Sequence, residues 1–361
     1  MSLVPVEAKK PRPIIMAIPD SVLTDEVRAV IEDVRPMGFI LFNRKQKGNN
    51  CVSADQVGKL VSDLAELSPT NPPLIFIDQE GGRVARIRWD VVLPPASDFG
   101  KAYDVNPEEA LEWARLGGFI SAVQLSRYGI TANCAPVADV AHDIMHNVIG
   151  NRAYHTDPAV VSKLCSAVIS GHMAGGVWPV IKHAPGHGRA AVDSHVELPV
   201  VSACAEELNV DALPFKENAM CPFVMTAHIK YPVLDKACAT NSQHILQNVI
   251  QKEWGMTGLI VSDDVGMDAL EGTVPERITN ALNAGCDLVL ECSADIETMK
   301  TLTSVPEASE ELMQKLEKLP SLVRADGETV KESLTRYLVL TEKYTATKTA
   351  GSDPTLYSSS A

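Results

Sequence analysis

The chain has 361 residues, 45% of them hydrophobic and 22% charged, with a formal net charge of −14. That is globular composition, and α/β barrels reach this length as one unit. The acidity sets the chain against phosphate backbones, so no nucleic-acid partner is expected. No stretch approaches the roughly 20 apolar residues of a membrane span.

The opening MSLVPVEAKKPRPIIMAIP places its charges before a short apolar run that Pro19 stops. The run is too short for a signal h-region and no small-residue cleavage site follows, so the cytoplasm is the expected compartment. Eight cysteines include no CxxC pair, and several sit in apolar runs such as Thr-Ala-Asn-Cys134-Ala-Pro. Buried free thiols are expected rather than disulfides or zinc ligands.

In chain order, short β-rich apolar runs alternate with amphipathic stretches. The strand-like runs are 14–18, 38–42, 74–77, 130–137, 178–181, 223–226, 259–261 and 287–290. Between them the spacing predicts helices over 25–34, 53–67, 107–127, 158–174, 241–254 and 275–284, with Thr240 or Asn241 as the N-cap of the fifth. Strand–helix alternation of this kind predicts a single (β/α)8 TIM-type barrel over 1–343, although a doubly wound open sheet accommodates the same pattern. The Ser/Thr/Ala-rich remainder, 344–361, reads as a mobile tail. Polar residues directly after strand ends favour the barrel: Asp78, Asp139, Lys182, His183, His228 and Asp263 would all meet at one mouth.

The segment Asp78-Gln-Glu-Gly-Gly-Arg-Val-Ala-Arg86 opens at a strand end. Asp78 can accept hydrogen bonds from vicinal sugar hydroxyls, and Arg86 can reach back over the same mouth. A salt-bridged turn would carry the same letters. The segment Lys182-His-Ala-Pro-Gly-His-Gly188 is followed by Asp193-Ser-His195. Gly186 and Gly188 permit tight turns with positive φ, and the connection is longer than a βα loop requires. Asp193 can bind the Nδ1 of His195 and aim its Nε2 outward, a pairing suited to proton transfer. Zinc is a second functional reading of the histidines, but there is no HExxH. Lys182 at a strand end would also suit a Schiff-base lyase or aldolase.

The run Leu259-Ile-Val-Ser-Asp263-Asp264 ends a strand on two carboxylates. Alternation along a strand puts one of them toward the axis while the other braces it. Such a carboxylate can attack an oxocarbenium-forming carbon, and the same pair also suits a helix N-cap.

Together, Asp78–Arg86, Gly150-Asn-Arg152-Ala-Tyr154, Lys182–His195, Met225–Pro232 and Ser262–Met267 resemble glycoside hydrolase family 3, in its β-N-acetylhexosaminidase branch. The resemblance implies Asp263 as nucleophile, His195 as acid/base and Asp193 as its partner. It implies that Asp78, Arg86, Arg152, Lys182 and His183 hold the N-acetylglucosamine. It implies a retaining hydrolysis without metal or organic cofactor, acting on a small soluble glycan or muropeptide of cell-wall recycling. Related enzymes that transfer to phosphate or accept glucose-type sugars are the alternatives within the family. A non-catalytic sugar binder would not need the set Asp263, Asp193 and His195. Ala184 stands where enterobacterial members carry Phe, which implies a looser pocket wall. Tyr154 also stands in place of Phe. The second, sandwich-like domain of many family members has no room after the eighth strand.

Overall fold

The structure is a computed structural model that describes residues 10–143, 145–192, 198–267 and 270–345. Eight parallel strands close into one barrel, each paired with its neighbours in chain order. They are β1 (Arg12–Ala17), β2 (Pro36–Leu41), β3 (Leu74–Ile77), β4 (Ala132–Asn133), β5 (Trp178–Ala184), β6 (Phe223–Thr226), β7 (Leu259–Asp264) and β8 (Leu288–Glu291). The open doubly wound sheet is thereby excluded, because β1 pairs with β8.

Strand segments such as Ile14–Met16, Leu74–Ile77 and Leu259–Val261 are apolar on both faces because both faces are covered. Within β1, Ile15 and Ala17 belong to the inner cluster with Phe76, Val180 and Met225. Ile14 and Met16 belong to the outer cluster beneath the helices. Inside the barrel, the Phe76 and Phe223 rings meet edge-to-face at 5.5 Å. Wide aromatic side chains fill the barrel axis, so the barrel is packed and only its rim can hold a ligand.

Four helices begin where their caps dictate. Thr24 caps α1 (Asp25–Val34) and Ser53 caps α2 (Ala54–Leu67). Asn106 followed by Pro107 starts α4 (Pro107–Arg127), and Asp157 followed by Pro158 starts α5 (Pro158–Ala174). Short α3 (Ala96–Val105) precedes α4, while α6 (Ala205–Asp211) and α7 (Leu213–Glu217) follow β5. After the barrel closes, the C-terminal helix of the described residues (Gly327–Tyr344) returns to α4, where Trp113 Nε1 donates to Thr341 Oγ1 at 2.9 Å. The tail expected from 344 onward lies outside the described residues, apart from Tyr344 and Thr345.

Two elements depart from expectation. The fourth strand is two residues long instead of 130–137, because Pro136 has no N–H to donate to the ladder. Pairing with β5 resumes around it: Lys182 N donates to Pro136 O and Ala138 N to Lys182 O. The helix expected over 241–254 runs from His244 to Glu253 and is π-wound. Its first turn is held by Ser242 Oγ, which accepts from Ile245 N at 3.0 Å, while Thr240 instead bonds Thr226 and His228. The cysteines are all free; Cys204 is exposed and the other seven are buried. Among the described residues no helix is long and apolar enough to cross a membrane.

Candidate active site

At the C-terminal ends of the strands a cavity of about 260 Å³ opens, lined by Asp78, Glu80, Arg86, Arg152, Lys182, His183, His187 and Asp263 among others. Six of the eight predicted site residues therefore converge. Asp193 and His195 lie outside the described residues.

Bulges bring the polar ends of two strands into this cavity. Along β5 and β6, Lys182 pairs with Met225 but Ala184 with Thr226, so His183 is inserted. Along β7 and β8, Val261 pairs with Leu288 but Asp264 with Leu290. An extra residue re-aims the side chains at its position. Consequently Lys182 and His183 both line the cavity, and so do Asp263 and Asp264. This corrects the expectation that strict alternation admits one of the two aspartates. The expected division of labour still holds, since Asp264 Oδ1 accepts from Gly266 N at 2.8 Å and from Cys292 N at 3.0 Å.

The floor is an ionic network. Asp78 receives Lys182 Nζ on Oδ1 and Arg86 Nη2 on Oδ2, each at 2.9 Å. Lys182 Nζ also lies 2.6 Å from Glu80 Oε1. Arg152 grips Glu80 with two parallel bonds, 2.7 Å from Nε and 2.8 Å from Nη2. Burial by itself would raise both carboxyls, but the cations overcome it: Arg152 and Lys182 bring Glu80 down to about 2, and Lys182 and Arg86 hold Asp78 well below the carboxylate range. Burial alone would lower Lys182, yet Asp78 and Glu80 hold it above the ordinary lysine value. A fixed ammonium of this kind cannot serve as an amine nucleophile, which removes the physical basis of the Schiff-base reading.

Asp139 carries the second network. Burial would raise its carboxyl, but His183 and His187 lower it, so it is ionised. Its Oδ2 accepts from His183 Nδ1 at 2.8 Å and its Oδ1 from His187 N at 2.7 Å. The first bond fixes the tautomer and leaves His183 Nε2 for the cavity. Among the described residues, no three His, Cys, Asp or Glu side chains converge as metal ligands.

Asp263 and Asp264 have divergent environments. Burial raises both, but His183 and His228 pull Asp263 below the usual aspartate value, while burial prevails at Asp264. Asp263 is thus the member of the pair favoured as an anion, and its side chain accepts a bond from Asp264 N at 2.8 Å.

Asp139 was placed at the mouth by the sequence but given no role, and Glu80 was not singled out, though a signal existed for it. It lies two residues from Asp78 at a strand exit, the spacing that puts side chains on one side. Gly81 follows with φ +116°, and a Cβ there would lie 2.6 Å from Pro94 O, so the turn that returns Arg86 to Asp78 demands glycine. Ala184, expected to loosen the pocket wall, instead belongs to the outer core cluster, so its small size does not widen the cavity. Gly188 is required for a different reason than supposed: its φ is not positive, but a Cβ would lie 1.8 Å from Val140 O.

Glu80→Gln is expected to destabilise the protein by about 3 kcal/mol, because buried Arg152 loses its counter-charge and Lys182 loses one of its two. The folded-state value lies below the unfolded one, so this stabilisation is complete above pH 4.5 and fades as pH falls toward about 2. Thermal unfolding of both forms at pH 7 and pH 3 reads it, as a gap that narrows at the lower pH.

A parallel barrel whose rim presents paired carboxylates, guanidinium groups and a tautomer-fixed histidine around a sugar-sized cavity defines a barrel enzyme of the glycosidase class. Residues 14–323 match the model of the glycosyl hydrolase family 3 N-terminal domain. A β-hexosaminidase of Thioalkalivibrio sulfidiphilus is 35% identical over 300 residues, covering 81% of this chain and 84% of that protein. Another from Nitrosospira multiformis is 35% identical over 319 residues, 86% of each. The crystal structure of NagZ from Neisseria gonorrhoeae in complex with N-trifluoroacetyl-D-glucosamine superposes with a TM-score of 0.82 at 28% identity, covering 94% of this chain and 100% of that one. The chain belongs to glycoside hydrolase family 3, in the group whose curated members are named β-hexosaminidases.

Proposed function

We propose that the protein is a retaining exo-β-N-acetylglucosaminidase that removes terminal β-linked N-acetylglucosamine from small cytoplasmic peptidoglycan fragments. The observation that carries this reading is the ionised Asp263 facing the same cavity as the Asp78–Lys182–Arg86 network. That network offers fixed charge to sugar hydroxyls, with Arg152 and His183 completing the grip. Asp263 attacks C1 and forms a covalent glycosyl ester while His195, paired with Asp193, protonates the leaving oxygen. The same His195 then takes a proton from water, which releases the sugar with its configuration retained. The ligand in the Neisseria structure, an N-acylated glucosamine analogue by its printed name, supports the choice of sugar.

The test is incubation with an aryl N-acetyl-β-glucosaminide beside the matching β-glucoside, in the presence and absence of phosphate, with the product followed by NMR. A strong preference for the first substrate and a β-configured hemiacetal as first product are expected. Equal turnover of both substrates, an α-configured first product, or sugar 1-phosphate as the main product would each reject the reading.

A further inference from the structure

We infer that Asp211 is a positioning residue for proton transfer: through Arg189 it fixes the start of the chain segment that carries Asp193 and His195. The inference rests on the function proposed above. Asp211 is the last residue of α6, and its side chain is 5% exposed. Its Oδ2 accepts from Arg189 Nε at 2.6 Å and its Oδ1 bonds His142 Nε2 at 2.9 Å. Three separate stretches of chain therefore meet on one carboxylate: the β4–α5 connection, the β5–α6 connection and α6 itself. Arg189 Nη1 adds a bond to Glu207 Oε1 at 3.1 Å, so one guanidinium holds two residues of the helix.

Arg189 lies between His187, which lines the cavity, and His195. The backbone around it is tightly packed. Gly188 touches Val140 O too closely for any Cβ, His146 N donates to Ala190 O at 3.0 Å, and buried Tyr231 donates its hydroxyl to Gly186 O at 2.8 Å. On the far side of the segment, Val201 N donates to Lys230 O and Lys230 N to Pro199 O, each at 2.9 Å. The stretch bearing the proposed acid/base thus departs from one fixed point and returns to another. The backbone bonds fix the return. On the departing side, the Asp211–Arg189 pair adds a charged side-chain tie to the backbone bond at Ala190.

A buried carboxylate is costly unless paired, so Asp211 holds Arg189 at a defined place rather than allowing it to roam in solvent. Proton transfer is sensitive to that place, since a displacement of ~1 Å at a reacting group costs about 10²-fold in rate. A structural ion pair would lower activity on all substrates alike. A tie that acts through His195 lowers it only where the leaving group needs a proton.

The experiment measures kcat/KM of Asp211→Ala, Arg189→Met and the double variant, each with and without His195→Ala. The two substrates are methyl N-acetyl-β-glucosaminide, which needs the proton, and the 2,4-dinitrophenyl glycoside, which does not. Each single variant is expected to lose about 10²-fold on the methyl glycoside and less than about 3-fold on the dinitrophenyl one. The double variant should lose no more than either single, and neither should lose anything further once His195 is Ala. Equal losses on both substrates, losses that multiply in the double variant, or further loss in the His195→Ala background would overturn the inference. If Asp211→Ala does not fold, Arg189→Met decides, because that side chain is 18% exposed and full activity in its absence is equally fatal. A His195→Ala variant without any leaving-group dependence would instead sink the acid/base assignment, a failure separable from that of the Asp211–Arg189 tie.

Discussion

Asp263→Ala is expected to lower kcat/KM on an aryl N-acetyl-β-glucosaminide by at least ~10⁴-fold and to leave thermal unfolding nearly unchanged. The size follows from the role. Without the carboxylate no glycosyl ester forms, and the aryl leaving group, which needs little protonation, cannot compensate. The unchanged stability follows from the environment: among the described residues the Asp263 carboxylate accepts one short-range bond, from Asp264 N, and it faces a cavity instead of a packed core. Asp264 supplies the control. Its Oδ1 receives two backbone N–H groups from different strand ends, so Asp264→Ala leaves Gly266 N and Cys292 N without that partner and lowers the unfolding temperature. A small azide nucleophile should restore turnover to Asp263→Ala and yield the α-glycosyl azide, because it enters the space vacated by the carboxylate. Retained turnover in Asp263→Ala, or azide rescue of the Asp264 variant alone, moves the nucleophile to the neighbouring residue. A 2-fluoro sugar trap followed by peptide mapping gives the same answer by an independent route.

The barrel was legible because β3 and the cores of β6 and β7 are short, wholly apolar and separated by amphipathic stretches. Helices that start on Asn-Pro or Asp-Pro had their first residue written in the sequence, and α4 and α5 begin where those pairs stand. What was not legible is where local rules give way to the closing of the barrel. A bulge obeys no sequence period, so the joint exposure of Asp263 and Asp264 could not be read from alternation. Pro136 was visible, yet the chain around it continues to bond β5 through carbonyls, which periodicity does not report. Glu80 was hidden for another reason. Its importance lies in Arg152, 72 residues away, and pairings at that separation leave no local trace. Asp139 was noticed as a strand-end acid, but its partners, His183 and the backbone of His187, come from the next strand.

His195→Ala carries the second large expectation. For alkyl glycosides, whose leaving oxygen must be protonated as the bond breaks, kcat/KM should fall ~10²–10⁴-fold. For the 2,4-dinitrophenyl glycoside it should fall far less, because that phenolate departs unaided. The contrast is the diagnostic, since a misfolded or distorted site would lose both substrates together. The variant should also lose the alkaline limb of the kcat/KM profile, which reports the free imidazolium. His187 cannot mimic this behaviour equally well, because burial lowers its imidazole and disfavours the charged acid that protonation of a leaving group requires. His183, whose Nδ1 is bonded to Asp139, is the control measured beside it. If His187→Ala rather than His195→Ala proves leaving-group dependent, the proton comes from the turn at Gly186–Gly188, and the Asp193–His195 assignment falls.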